Sequence, residues 1–245
     1  MFKAILKNLR ENWITYGFET LVVIVGIVGA FELENWKEAR QDRVREQEYL
    51  GRIENDLKSD TIYFNRRIAE DEQEMANLYK IVHEMYKIQK TLKDFQNLMS
   101  MTTFPTEHLT IQNFTFLEMT SSGNLDLIRN KTLKEELISY YNKAEMYGKH
   151  IKEINEWSVQ IFLKIREVLP SSKNSSWGKM RIFDDPEMFK YEDWSFINDP
   201  ASMKFKILEG IFDTYHAKLY TINPYFMELK NHAKKILVLL KQEIH

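Results

Sequence analysis

Cysteine is absent from this sequence, and its absence removes several classes of site at once. Without thiols the chain cannot form disulfides, use a thiolate nucleophile or hold zinc and iron–sulfur clusters through sulfur. The absence does not fix the compartment. A disulfide-free chain suits the cytosol, and it equally suits an oxidising compartment where a stray thiol would be a liability.

Glycine, proline and net charge are also scarce. Only 8 Gly and 5 Pro occur in 245 residues, and few turn signals with few helix breakers favour an all-α chain. The formal net charge of -2 gives no electrostatic reason to expect nucleic acid as a partner. Hydrophobic residues at 44% and charged residues at 29% are typical of a folded rather than a disordered chain.

The longest hydrophobic run covers residues 13–31 and reads WITYGFETLVVIVGIVGAF. A helix of this length extends roughly 28 Å, close to the ~30 Å hydrocarbon core of a bilayer. Residues 21–31 carry no polar side chain, and Trp13, Tyr16 and Trp36 lie near the ends, where amphipathic rings favour the headgroup layer. The run predicts a single transmembrane helix with these three aromatic residues as interface anchors.

Two other interpretations of this run are less favoured. A buried core helix would need comparably apolar segments to pack against, and the rest of the chain has none. A cleavable signal peptide could use the small residues at 28–30 as its cleavage site, but about twenty residues with several polar side chains precede the apolar core. We therefore expect a retained signal-anchor.

The orientation of the anchor follows from its borders. Lys and Arg are nearly balanced between the two flanks, so the positive-inside rule is close to a tie. The N-terminal border carries Lys7 and Arg10, whereas the C-terminal border carries Glu32 and Glu34. We expect residues 1–12 to be a short cytoplasmic N-terminus.

Three residues within the span are candidates for contacts between membrane helices. Glu19 is the one charged residue there, and it either reaches water near the interface or makes a polar contact with a neighbouring helix. Gly26 and Gly29 would allow close approach of such a neighbour, although their GxxG spacing is a weak signal.

The rest of the chain, residues 32–245, has a heptad-like apolar pattern and is predicted to be an extracytoplasmic helical domain. Long helices are expected at 32–96, 130–169, 201–221 and 225–243. Irregular segments are expected at about 97–130 and 170–200. The first helix could continue directly from the membrane span, and a break near Ser59 is the alternative. Four such helices predict an antiparallel bundle behind a single transmembrane helix.

Two blocks of the sequence resemble a known family. Residues 19–36 contain a Glu, an aliphatic run with Gly, an Ala and then Asn35-Trp36. Residues 116–133 read FLEMTSSGNLDLIRNKTL, with the pattern Ser-Gly-x-Leu-x-Leu-Ile-x-Asn-x-x-Leu, and Tyr140-Tyr141 follows. Both blocks are similar to an uncharacterised membrane-protein family of the Bacteroidota. The resemblance covers roughly residues 10–165, implies an inner-membrane protein with a periplasmic helical domain, and supplies no catalytic residues.

Motifs for catalysis or cofactor binding were not found. The sequence has no HExxH, Glu-x-x-His, GxxxxGK[ST], GxGxxG or GxSxG. Asp213 and His216 could share a helix face, but a metal site needs further ligands and a surface pair is the simpler interpretation. We therefore predict no enzyme activity, no cofactor and no metal.

Aromatic residues are concentrated between positions 177 and 196. Packing of a long connection against the bundle accounts for most of them. A partner-binding surface is the alternative, with Trp177, Tyr191 and Trp194 as its anchors, since Trp and Tyr are enriched at interfaces.

Three functional hypotheses follow. The leading one is a membrane-anchored, non-enzymatic envelope protein, an accessory or scaffold subunit whose partners are the bilayer and either another protein or a second copy. The second is an extracytoplasmic ligand-sensing module, which would signal through a partner because only a dozen residues precede the anchor. The third, an enzyme with an unrecognised site, has no motif in its favour.

Overall fold

The protein is described by a computed structural model covering residues 13–87, 89–102, 104, 106–168 and 194–244. In this part of the chain the secondary structure is helical without strands, which confirms the all-α prediction. Three helices are long: α1 (Trp13–Met85), α4 (Lys131–Phe162) and α6 (Met203–Ile244). The shorter elements are α2 (Leu92–Met99), α3 (Phe114–Ser121), α5 (Ile165–Val168) and two 3₁₀ turns at Asn124–Leu127 and Ser195–Asn198.

Helix α1 is 73 residues long, about 110 Å, and joins the apolar run to the first bundle helix without interruption. It also continues through Ser59, so the alternative of a break there is wrong. The helix ends at Met85 rather than near residue 96. Gln89 adopts a left-handed conformation with φ 64°, and Thr91 caps the separate helix α2 by accepting a hydrogen bond from the Asp94 amide at 3.2 Å.

The directions of the long helices follow from contacts at their ends. Gln47 of α1 donates to the Glu243 carbonyl of α6 at 3.1 Å, and Tyr86 donates to Glu209 at 2.5 Å. Positions rise along α1 as they fall along α6, so these two helices are antiparallel. Lys143 of α4 bonds Glu228 of α6 at 2.5 Å.

Helix α4 runs in the same direction as α1. The Arg129 amide, just before α4, donates to Glu46 at 2.9 Å, and Tyr140 donates to Asp60 at 2.7 Å. The described bundle therefore has three long helices rather than four. Helix α6 is antiparallel to both α1 and α4.

An extended segment, residues 106–113, lies beside α1 and α4 and runs opposite to both helices. We call it the strap. Tyr63 of α1 donates to the His108 carbonyl, and the Gln112 amide donates to Asp60 at 2.8 Å. The Tyr141 hydroxyl of α4 approaches the Gln112 carbonyl at 3.4 Å. The strap thus bridges two helices that are parallel to each other, at a place where the sequence predicted only irregular structure.

The apolar core forms two clusters along the bundle. The cluster nearer the start of the bundle centres on Phe64, Tyr140 and Phe226, all fully buried. The other cluster lies at the opposite end and includes Phe95, Phe205 and Phe212. Both clusters draw on α1 and α6, so packing of these two helices forms most of the interior.

Proline 224 does not end a helix, contrary to the prediction of separate helices at 201–221 and 225–243. Proline removes a backbone N–H and frees the carbonyl four residues earlier, here that of Tyr220. Tyr220 and Pro224 are both exposed, so the freed carbonyl lies on the side where water can bond it. Burial of the opposite face of α6 keeps the helix continuous.

The junction before α4 follows its sequence signals. Helix α3 ends at Ser121, and Gly123 then adopts φ 74°, a left-handed conformation that glycine reaches without strain. Asn130 caps α4 by accepting a hydrogen bond from the Leu133 amide at 3.0 Å. Helix α4 ends at Phe162, and a turn separates it from the short helix α5, so the predicted helix over 130–169 is interrupted.

Candidate functional sites

The first candidate site is the N-terminal part of α1, residues 13–36, which we call the projecting segment. Every side chain described in it is exposed, including those of Phe18 (67%), Val25 (62%) and Phe31 (62%). The first buried side chain of α1 is that of Glu46, and Leu50 is the first buried apolar residue. A segment about 36 Å long therefore precedes the packed part of the helix.

The predicted membrane residues all lie on this segment. Glu19 is exposed, and a Cβ added at Gly26 or Gly29 would meet no atom within 4 Å. Trp13 and Tyr16 lie in the first turns of α1, but their side chains are outside the described structure. The contacts predicted for these residues remain predictions. By hydropathy and charge, the described portion of the chain contains no helix long and apolar enough to span a membrane.

The predicted aromatic surface is described only at Trp194. This side chain is half-buried, with its ring centroid 6.1 Å from that of Phe95 and 6.0 Å from that of Phe196. It therefore packs partly against the end of the bundle. Trp177 and Tyr191 lie outside the described residues.

The second candidate site is a group of charged side chains inside the bundle, which we call the charge cluster. It consists of Arg67 and Asp71 on α1, Glu107 on the strap and Lys218 on α6. Asp71, Glu107 and Lys218 are each at most 2% exposed. Charged groups are rarely buried so completely unless they are paired, and here two cations face two anions.

Arg67 is the centre of the charge cluster. Its Nη2 donates to Asp71 at 2.9 Å and also forms an ion pair with Glu107. Burial raises the pKa of Asp71 to about 6, although the nearby guanidinium opposes the shift. Burial lowers the pKa of Lys218 to about 8, against the attraction of Asp71. Each shift means that the fold disfavours the charged form of that group.

The strap is fixed next to this cluster by Asn155 of α4. The Glu107 amide donates to Asn155 Oδ1 at 3.1 Å, and Asn155 Nδ2 donates back to the Glu107 carbonyl. Both backbone polar groups of a buried residue are thereby satisfied by one side chain. Among the described residues, Glu107 Oε1 and Asp71 Oδ2 have no hydrogen-bond partner, so the cluster is not fully satisfied.

A separate buried carboxyl lies further along the strap. Asp60 accepts hydrogen bonds from the Tyr140 hydroxyl at 2.7 Å and from the Gln112 amide at 2.8 Å. Burial nevertheless raises the pKa of Asp60 to about 6. The same burial, with the carboxylate beside it, raises the pKa of Tyr140 well above its ordinary value. This group joins α1, α4 and the strap through one side chain.

Sequence reasoning missed the charge cluster. One signal was available, because Asp71 occupies a position of the apolar stripe of α1 where a hydrophobic residue was expected. Glu107 and Lys218 gave no signal, since they come from distant segments and meet Arg67 only in the folded chain. Asp213 is exposed and His216 half-buried, and no group of three metal-ligating side chains occurs among the residues described.

Comparison with known proteins adds no assignment. The chain matches no protein-family model, no curated protein and no solved structure. The resemblance to the Bacteroidota membrane family remains a prediction from the two sequence blocks.

Asp60→Asn should reduce the pH dependence of stability. The folded pKa of about 6 exceeds the ordinary value of 3.8, so Asp60 contributes stability that is complete below about pH 4 and lost as pH rises through 6. The wild-type free energy of unfolding should therefore fall between pH 4 and 7, and the variant should show a smaller fall. Urea titrations in detergent at both pH values measure the free energy of unfolding of the wild type and of the variant. The control Asp126→Asn changes an exposed carboxylate and should keep the wild-type slope.

Arg67→Met should destabilise the fold by about 3 kcal/mol, because it leaves Asp71 and Glu107 without their cation. Adding Glu107→Gln should recover at least ~1 kcal/mol, since one uncompensated charge is removed. Urea unfolding of both variants measures the difference. Lys149→Met, which removes one partner of an exposed pair with Glu145, should change stability by less than about 0.5 kcal/mol. Equal losses in the single and double variants would contradict this expectation, because the Glu107 charge would then cost nothing in the absence of Arg67.

Proposed function

We propose that this chain is a membrane-anchored, non-enzymatic envelope protein, an accessory or scaffold subunit whose bundle binds another protein. The observation that carries the anchor is the uncovered apolar stretch at residues 21–31 of α1. Its eight large apolar side chains are 53–62% exposed, and they occupy all sides of the helix. A helix that is hydrophobic all round needs apolar surroundings on every side, which lipid supplies and a single protein face does not.

The proposed span is residues 13–31, rather than the apolar core alone. Nineteen helical residues match the bilayer core at roughly 28 Å. Glu19 then lies about 9 Å inside the N-terminal border, within reach of water or of a polar group on a neighbouring helix. Trp13, Tyr16 and Trp36 would lie at the two interfaces, and Gly26 and Gly29 would permit a close helix neighbour.

The proposed location is a bacterial inner membrane, with the N-terminus in the cytoplasm and the bundle in the periplasm. The acidic border at Glu32 and Glu34 and the basic residues before the span support this orientation. The resemblance to the Bacteroidota family supports the same compartment. In this orientation α1 extends far from the membrane, because Met85 lies about 80 Å along the helix from Phe31.

The distal end of the bundle is the proposed partner surface. Tyr79, Val82, His83, Tyr86 and Lys87 line a shallow cleft of about 450 Å³ there. Tyr79 is 70% exposed and Tyr86 50%, and exposed tyrosines are common anchors of protein interfaces. Trp194 lies at the same end, beside Phe95 of α2. The distal end of the bundle would thus present an aromatic surface far from the membrane.

A sensing role is the second candidate, because one observation favours it. Asp60 and Asp71 are buried carboxyls with pKa values of about 6, and Asp60 holds the strap to α1 and α4. A change in their protonation would alter how the strap is held. A sensor of this kind would pass its signal to a partner protein through the bundle.

Val25→Asp should impair membrane insertion, because it places a charge in the middle of the apolar stretch. Carbonate extraction of native membranes should leave the wild-type protein in the pellet and move a large share of the variant to the supernatant. The matched control is Ile62→Asp, on the same helix and 71% exposed, which should remain in the pellet. Wild-type protein in the supernatant would rule out an integral anchor.

The orientation can be read from Ser139→Cys, which introduces the sole thiol of the chain at an exposed position of α4. In cells with a permeabilised outer membrane, an impermeant maleimide should label this variant. Val25→Cys should stay unlabelled until the protein is denatured, because lipid covers it. Labelling of Ser139→Cys only after lysis of the inner membrane would place the bundle in the cytoplasm.

Purification from native membranes in mild detergent should yield a stoichiometric complex with a second protein or a second copy. Tyr79→Ser should reduce the amount of partner recovered, because it removes the most exposed aromatic ring of the distal cleft. Ile62→Ser, an equally exposed position midway along α1, should leave recovery unchanged. Wild-type protein that elutes only as a monomer would contradict the scaffold role.

A further inference from the structure

Between the apolar stretch and the packed part of α1, one exposed face of the helix combines cationic and apolar side chains. Leu33, Trp36, Lys37, Arg40 and Val44 follow steps of three and four residues and so share one side of the helix. We call this side the cationic face. All five side chains are exposed, and Trp36, Lys37, Arg40 and Val44 line one shallow surface groove. The face points away from the bundle, since the buried residues Glu46 and Ile53 lie roughly 140° and 155° around the helix from its centre.

The acidic residues of this stretch lie elsewhere around the helix. At about 100° per residue, Glu32, Glu34, Glu38 and Asp42 are all roughly 100° or more from the centre of the cationic face. Glu48 is nearer in angle, but it lies two turns farther from the apolar run. The sequence is nearly neutral here, yet helical geometry separates the charges into a basic side and an acidic side.

The two cations of the face differ from the arginines that follow them. Arg43 pairs with Glu46 at 2.7 Å, and Arg45 pairs with Asp42. Neither Lys37 nor Arg40 has a carboxylate within ion-pair distance among the described residues. The Arg40 guanidinium instead lies 5.7 Å from the centre of the Trp36 ring. These two charges are therefore available to an external anion.

The depth of the face matches the phosphate layer of a bilayer. Trp36 lies about 7.5 Å beyond Phe31 and Arg40 about 13.5 Å beyond it. Side chains of a helix slope toward its N-terminus, which is the membrane side here, and Arg40 follows this rule by lying over Trp36. Its guanidinium thus approaches the headgroup region, about 5–7 Å thick, that borders the hydrocarbon core.

We propose that the cationic face binds the phosphate group of an anionic phospholipid in the leaflet next to the bundle, through Lys37 and Arg40, with Trp36 in the headgroup layer and Leu33 near the upper part of the acyl chains. This inference rests on the proposed anchor, because only a membrane-inserted α1 brings the face to that depth. An anionic lipid is favoured over a zwitterionic one by charge: two unpaired cations meet a headgroup of net negative charge. Each cation near a membrane surface increases such binding about fivefold.

Native mass spectrometry of the full chain in mild detergent tests the proposal. The probes are dioleoyl phosphatidylglycerol and dioleoyl phosphatidylcholine, added separately at equal concentration. Wild-type protein should retain phosphatidylglycerol in preference to phosphatidylcholine. The double variant Lys37→Gln/Arg40→Gln should lose at least about tenfold of this preference. The matched control Arg66→Gln/Lys80→Gln removes the same charge from exposed positions of α1 farther along the bundle and should keep it.

The outcomes separate the lipid site from the anchor. A double variant with the wild-type preference, or a control that loses the preference equally, would overturn the lipid site. Displacement of phosphatidylglycerol by inorganic phosphate at the same concentration would also overturn it, since the face would then be a simple anion site. Carbonate extraction of the wild-type protein gives the independent readout. If that protein is not membrane-integral, the anchor fails, and the lipid site fails with it.

Discussion

The unbroken backbone hydrogen bonding of α1 determines where every other part of this protein lies. The same helix carries the exposed apolar stretch, the cationic face, one wall of the bundle and the distal aromatic cleft. A flexible joint after Phe31 would let the bundle swivel freely. Helical structure continues instead through Trp36 to Leu50, the first buried apolar residue. The bundle and the projecting segment therefore share one axis. The proposed anchor would then set the distance between the membrane and the distal cleft.

Buried charged and polar side chains hold the strap in the bundle. Helices α1 and α4 are parallel, and the strap bridges them through polar contacts to Asp60, Arg67 and Asn155. Ion pairs in an interior often stabilise no more than apolar side chains of the same volume, but breaking one partner is costly. We infer that these contacts select this one position of the strap. The large apolar clusters formed by α1 and α6 supply most of the stability.

Local sequence patterns predicted where helices occur more accurately than they predicted the residues at which the helices end. The apolar stripe of α1 depends on residues three and four positions apart in sequence, so it could be predicted from the sequence. The prediction that a helix ends before Pro224 was wrong, because the effect of a proline on a helix depends on whether the freed carbonyl faces water, as it does in α6. The end of α1 at Met85 depends on a left-handed turn that the sequence does not mark. The charge cluster was unpredictable in a different way, since Glu107 and Lys218 reach Arg67 only through the fold.

Spin-label accessibility along α1 would show whether residues 21–31 lie in lipid, because the chain has no cysteine and each label site is unique. Single-cysteine variants at successive positions from 17 to 50 would be labelled in reconstituted bilayers and probed with oxygen and with a water-soluble nickel complex. A membrane-spanning α1 should give oxygen access on all sides from 21 to 31, a change to nickel access near Trp36, and protection on one face from Glu46 onward. Nickel access throughout residues 21–31 would contradict it.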